Sequence, residues 1–251
     1  MPGDPIRDAH ARLEEAAKKH DSILMGFSGG KDSLVCLDLC TRYFKRVECF
    51  HMYLVPGLRV IDERLDVARQ RWPEIPIHQL PHWVVFKFIY FGVYCDLRSK
   101  YDGWFDHKVQ LRDIYDWLAA QTGIKLIASG ARGKDSGWRR RNLKAISAYD
   151  DVLYPIVGWN VLEVLSYLKA RNLPIPRSEN RKASGVDLHH QYLTWCWDEF
   201  PDDFAKIEAY FPYVRASLYK EMWHGDWKPK RAAELRQVRS DRSPSVAAGP
   251  C

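Results

Sequence analysis

The stretch SILMGFSGGKDSLVCLDLC, residues 22–40, constrains the chain more than any other segment. A short apolar run, 22–27, ends at Ser28, Gly29 and Gly30, and the following DSLVCLDLCTRYF has the spacing of a helix packed on a sheet. The pattern predicts strand, tight loop, helix. Two glycines let the backbone turn sharply and expose successive amides, while the helix start adds its own N–H groups and the positive end of its dipole. Such a turn cradles phosphate oxygens. It is not the longer GxxxxGK[ST] loop, in which lysine and hydroxyl follow a final glycine.

The elements around it repeat the same alternation. Residues 7–20 read as an amphipathic helix, VECFHMYLV (47–55) as a second strand, IDERLDVARQRW as a helix, and IPIHQL as a third strand. The order βαβαβ argues an α/β fold with a doubly wound, mostly parallel sheet that takes its ligand at the carboxyl ends of the strands. WVVFKFIYFGVY, 83–94, is so uniformly apolar that strand, helix and hydrophobic lid all fit it. HKVQLRDIYDWLAAQTG reads as a helix ending at Gly123, and IKLIASG as a fourth strand. LYPIVGWNVLEVLSYLKARNLPIP then gives a short extended piece and a helix stopped near Asn172 and Pro174. Residues 185–222 have helical spacing and many aromatics, as a helical cap would, and from Gly225 the composition turns to Lys, Arg, Ser, Pro and Ala. The expected division is a nucleotide-binding α/β domain over 1–176, a helical C-terminal subdomain over 177–224, and a basic, partly mobile tail over 225–251.

Composition narrows the setting. At 251 residues and 46% hydrophobic, the chain can bury a full α/β core. Its net charge of +6 favours anionic partners, and ARGKDSGWRRRNLK, 131–144, concentrates six basic residues against Asp135 alone. The six cysteines, at 36, 40, 49, 95, 196 and 251, form no CxxC pair, which fits a reduced compartment. The opening MPGDPIRDAHARLEEAAKKH carries acidic residues where a secretory signal needs an apolar stretch, so the expected location is cytoplasmic. His189 and His190 are adjacent, and neighbours on a helix point about 100° apart, a poor arrangement for one metal ion.

SGGKDS, residues 28–33, resembles the signature of the PP-loop pyrophosphatase superfamily, the adenine nucleotide alpha hydrolase-like proteins. Two further stretches resemble its phosphoadenylyl-sulfate reductase branch: GARGKDSGWRRR, 130–141, with a Gly-x-Arg motif and a later arginine, and YPIVGWNVLEVLSYLKARNLPIP, 154–176. The resemblance implies that Ser28, Gly29, Gly30, Lys31, Asp32 and Ser33 hold the phosphates of ATP or of a related adenine nucleotide. It extends that site to Gly130 and Arg132, and to Arg140 or Arg141. Guanidinium forks suit phosphoryl and sulfuryl oxygens, so Arg132 at a strand end would complete a polyanion pocket. Lys31, Asp32 and Arg132 are the expected catalytic residues, with Asp32 either placing Mg²⁺ or acting as a first-turn residue that favours the helix dipole. The adenine is expected around Phe27 and Met52 to Val55.

The chain departs from the reductases in one respect: it has no Glu-Cys-Gly-Leu-His segment, and Cys251 stands in AAGPC. The nucleotide site is present without the family's thiol chemistry. This shifts the expected reaction to splitting ATP into AMP and pyrophosphate to adenylate a substrate. A nucleic acid held by the basic loop, Arg177, Arg181, Lys182 and the tail is one candidate acceptor. Two alternatives stand beside it: a phosphoadenylyl-sulfate reductase using Cys251 or Cys95 with thioredoxin, and a non-catalytic nucleotide-sensing or nucleic-acid-binding protein. A homodimer is a further expected partner state, and a membrane is not.

Overall fold

A computed structural model of the chain describes residues 4–95, 109–134, 151–174 and 188–230. Five strands form one parallel sheet: β1 (Ser22–Gly26), β2 (Arg46–Tyr53), β3 (Ile77–Pro81), β4 (Ile127–Ser129) and β5 (Val152–Leu153). Their order is β3-β2-β1-β4-β5, so the chain builds outward from β1 on one side and then returns to build on the other. The reversal lies between β1 and β4, and in open parallel sheets this is where a crevice opens beyond the strand ends. The short extended piece expected after residue 150 is the edge strand β5.

Both faces of the sheet are covered, which explains the apolar run Ile23–Met25 of β1. Ile23, Met25 and Phe27 belong to a large cluster on one face, while Leu24, Phe50 and Leu80 join Leu118 and Ile124 in a smaller one on the other. Helix α2 (Lys31–Cys40) lies in the middle of the large cluster, and its residues from Ser33 to Cys40 are all buried. Helices α1 (Pro5–Ala17) and α3 (Arg59–Arg71) contribute Leu13 and Leu65 to that cluster, and α5 (Leu111–Thr122) covers the opposite face. Helix α5 ends as the sequence indicates, with Gly123 in the left-handed region at φ 73°.

The ambiguous segment after β3 is a helix, α4 (Trp83–Tyr90). The His82 side chain caps it, Nδ1 accepting from the Val84 amide at 3.1 Å. Helix α6 (Val161–Ala170) opens with a capping box in which Asn160 Oδ1 accepts from the Leu162 and Glu163 amides. It packs on α2 through Asp38, which accepts from Tyr167 Oη at 2.7 Å and Arg171 Nε at 2.9 Å.

Among the described residues the C-terminal region holds three helices, α7 (His190–Glu199), α8 (Pro201–Tyr210) and α9 (Arg215–His224). Phe200 and Phe211 leave helical geometry, each followed by a proline that disfavours helix in the residue before it. These helices share the large apolar cluster with the α/β core through Leu193, Trp197, Phe204 and Leu218. Beyond α9, Trp227 Nε1 and the Lys230 amide donate to Asp198, each at 2.9 Å, so the beginning of the basic segment is tied to α7. No helix among the described residues is long and apolar enough to cross a membrane.

Candidate active site

Strand β1 ends where the Phe27 amide donates to Phe50 O at 2.8 Å, and the chain then turns through Ser28, Gly29 and Gly30 into α2. Gly29 has φ +71°, a conformation that L side chains rarely adopt. A Cβ there would also lie 2.6 Å from Arg64 Cβ on α3, so the position excludes side chains on two grounds. The hydroxyls of Ser28 and Ser33 stiffen the turn. Ser33 Oγ donates to Gly30 O at 2.9 Å, Ser28 Oγ to Ser33 Oγ at 3.2 Å, and the Gly30 amide to Ser28 Oγ at 3.4 Å. Intrahelical bonding begins when the Leu34 amide donates to Gly30 O, and the first turn of a helix is in general the place where amides meet an anion.

Gly130, just after β4, rests directly on this first turn. A Cβ at Gly130 would lie 3.1 Å from the Asp32 carbonyl carbon and oxygen and 3.2 Å from the Ser33 amide. Bare glycine allows this approach, and two residues later Arg132 reaches the same helix start. Arg132 Nε lies 2.8 Å from Asp32 Oδ1, and Lys31 Nζ lies 3.1 Å from Asp32 Oδ2. The Gly133 amide, donating to Val157 O at 2.9 Å, fixes the far side of this turn. Two cations and one carboxylate thus meet at the positive end of α2, where the sheet order reverses.

The structure brings Ser28, Gly29, Gly30, Lys31, Asp32, Ser33, Gly130 and Arg132 together. Arg140 and Arg141 lie outside the described residues, as do Arg177, Arg181, Lys182 and Cys251. Both Asp32 oxygens face cations, and among the described residues no three metal-ligating side chains cluster. Asp32 in this arrangement is a partner for Arg132 and Lys31. The Phe27 side chain, Leu54 and Val55, expected near the adenine, are buried in the large apolar cluster. His189 stands at the N-cap position of α7 with its ring 3.9 Å from that of His190, and His190 Nδ1 is 3.9 Å from Glu221 Oε1.

Two buried basic side chains behind the loop escaped the sequence reading. Arg64 is 4% exposed and packs under Gly29; its place in α3 gives no local sign of burial. His51, 2% exposed on β2, hydrogen-bonds through Nδ1 to Phe27 O at 2.9 Å. The acceptor is a carbonyl, so Nδ1 carries the proton, and the buried Nε2 has no hydrogen-bond partner among the described residues. Burial foremost, and then the Arg64 charge working against the bond to Phe27 O, lowers its pKa below 6.5 and keeps it neutral.

Residues 22–177 match the phosphoadenosine phosphosulfate reductase domain family. The chain belongs to that family. This reductase-domain protein is thereby a PP-loop member, as the residues 28–33 and 130–141 suggest, and its parallel sheet agrees. No curated protein matches it. Among solved structures it is similar to phosphoadenylyl-sulfate reductase from Candida auris in a phosphate complex, at 16% identity over 69% of this chain and 84% of that one, with a TM-score of 0.44. It is also similar to the U34-tRNA thiolase from Methanococcus maripaludis, at 14% identity over 98% and 86% of the two chains, TM-score 0.46. The NH3-dependent NAD synthetase from Campylobacter jejuni is similar at 15% identity over 89% and 96%, TM-score 0.46. The described cysteines of the reductase-domain protein, 36, 40, 49, 95 and 196, are all buried. Burial pushes the thiols of Cys40 and Cys196 up to about 12, which keeps them protonated and unreactive at neutral pH.

Proposed function

We propose that the protein binds ATP with its phosphates on the Ser28–Ser33 turn and cleaves it to AMP and pyrophosphate, adenylating an acceptor. The observation that carries this reading is the meeting of Lys31, Asp32 and Arg132 at the start of α2, after the turn that leaves β1 and beside the end of β4. An acceptor oxygen attacks the α phosphorus, the bond from that phosphorus to the bridging oxygen breaks, and pyrophosphate leaves with the electron pair. Arg132 and Lys31 neutralise the charge that builds on the leaving group, and Asp32 holds both cations in place before substrate arrives. Mg²⁺ enters with the triphosphate as part of the substrate.

Supporting adenylation over sulfonucleotide reduction is the burial of Cys95, which is 4% exposed in the apolar cluster with its thiol directed at Phe88 O. A nucleic acid is the acceptor class suggested by the basic run 131–144. The test is release of labelled pyrophosphate from ATP with Mg²⁺ in the presence of tRNA or DNA, beside sulfite release from phosphoadenylyl sulfate with thioredoxin. Pyrophosphate release that disappears in Asp32→Ala is the expected result. Sulfite release instead would establish the reductase, and nucleotide binding without either product would establish a sensor or carrier.

A further inference from the structure

Helix α3 begins without a cap of its own: Leu58 stands at the position where Ser, Thr, Asn or Asp would bind the first amides. The cap comes from α8 instead. Asp203 Oδ1 accepts from the Arg59 amide at 2.9 Å and Asp203 Oδ2 from the Val60 amide at 2.8 Å, across 144 and 143 residues of chain. Asp203 is 2% exposed, so both of its oxygens are committed inside the protein. One turn further along α8, Lys206 Nζ donates to Gly57 O. Helix α8 therefore holds both a carbonyl and the amides of the turn that leads into α3.

One turn into α3, Arg64 packs against Gly29 so closely that its Cβ occupies the place a Gly29 side chain would need. Buried Tyr192 and Cys196 of α7 lie near enough to Arg64 and Asp203 to feel both charges. A cap supplied locally would serve α3 alone. A cap supplied from α8 ties the position of α3, and through Arg64 the turn at Gly29, to the docking of the C-terminal helices.

We propose that Asp203 is a positioning residue for the nucleotide site: it fixes the start of α3 so that Arg64 backs the Ser28–Ser33 turn in its left-handed conformation at Gly29. This rests on the reading of that turn as the phosphate site. It assigns the C-terminal helices a part in nucleotide binding although none of them supplies a residue to the turn.

The experiment compares wild type, Asp203→Ala, Asp203→Asn, Lys206→Ala and the control Asp198→Ala, which loses the contacts to Trp227 and Lys230 but touches neither α3 nor the turn. ATP affinity is read by calorimetry, and amide hydrogen exchange over residues 27–34 by mass spectrometry. Asp203→Ala is expected to weaken ATP by roughly tenfold, the order of one lost hydrogen bond to a charged group, and to speed exchange in 27–34. Asp203→Asn keeps one acceptor oxygen and should recover part of both effects, Lys206→Ala should show a smaller change in the same direction, and Asp198→Ala should show neither. Exchange in 27–34 unchanged in folded Asp203→Asn and Lys206→Ala overturns the proposal, whatever happens to their melting temperatures. If wild type binds no ATP, the nucleotide reading fails, while the exchange data still decide whether Asp203 holds the turn.

Discussion

Helix α2 carries two acidic residues six positions apart, and each holds an arginine. Asp38 is 2% exposed and saturated, taking Tyr167 Oη at 2.7 Å and Arg171 through two contacts at 2.9 and 3.3 Å. Burial first, and the Asp38 carboxylate next, push the Tyr167 phenol above its ordinary range, so it stays a donor. Asp32 sits in the first turn, its side chain 23% exposed, with Arg132 and Lys31 converging from a loop and from its own neighbour. The pairing chemistry is alike and the settings differ. Asp38 joins two helices in the closed interior, whereas Asp32 gathers two cations at a helix start, beside glycines that admit close approach. Of the two pairs, only the one at Asp32 stands beside a helix start and a strand end, the settings in which anions are bound.

The first way to break this comparison is to remove one member of each pair. Asp38→Ala leaves Tyr167 Oη and Arg171 without their shared acceptor and should cost about 2–3 kcal/mol, seen as a fall in melting temperature of roughly 5–10 °C. ATP affinity should remain within about twofold of wild type. Arg132→Ala should instead weaken ATP by roughly 10- to 100-fold, the range for charge-assisted phosphate contacts, with a smaller fall in melting temperature than Asp38→Ala, since Asp32 keeps Lys31 as a partner. Gly130→Ala sharpens the contrast: its Cβ would press on backbone at 3.1 Å, costing about 1–2 kcal/mol by overpacking and separating Arg132 from Asp32. Both stability and ATP affinity should therefore fall in that variant.

The smallest expected effect concerns pH. Burial is the leading cause that lowers the pKa of His10, His51 and His82 from 6.5, so below that pH the unfolded chain binds protons that the folded chain refuses. Stability should be fully present above about pH 7 and decline as pH falls through 6.5 toward the lowered values, by a few degrees in melting temperature. The decline should be shallower in His51→Asn. A melting temperature that rises on acidification across this window would contradict the neutral assignment of these rings.

Legibility in the sequence followed the range of the interactions. The turn at residues 28–33 was readable because strand, glycines and helix are contiguous, and Gly123 was readable as a helix stop for the same reason. The segment 83–94 defeated the periodicity test because nearly every residue in it is apolar; a local cap from His82 fixes it as helix. The helical character of residues 185–222 was readable from spacing, but the division into three helices, which falls at Phe200-Pro201 and Phe211-Pro212, was not anticipated. Resemblance placed Arg132 and Asp32 in one phosphate site, but their direct pairing was not anticipated, since 100 positions of chain separate them and no local pattern joins them. The burial of Arg64 behind Gly29, and of Asp203 at the start of α3, depends on how distant helices dock, and nothing in the neighbouring residues announces it.

The most direct test of the central claim is a calorimetric titration of ATP with Mg²⁺ into wild type, Asp32→Ala and Asp38→Ala, each at a temperature where all three are folded. The account predicts saturable one-site binding by wild type and Asp38→Ala and at least tenfold weaker binding by Asp32→Ala. Equal affinity in wild type and Asp32→Ala, or equal loss in the two variants, would contradict the assignment of the α2 start as the phosphate site.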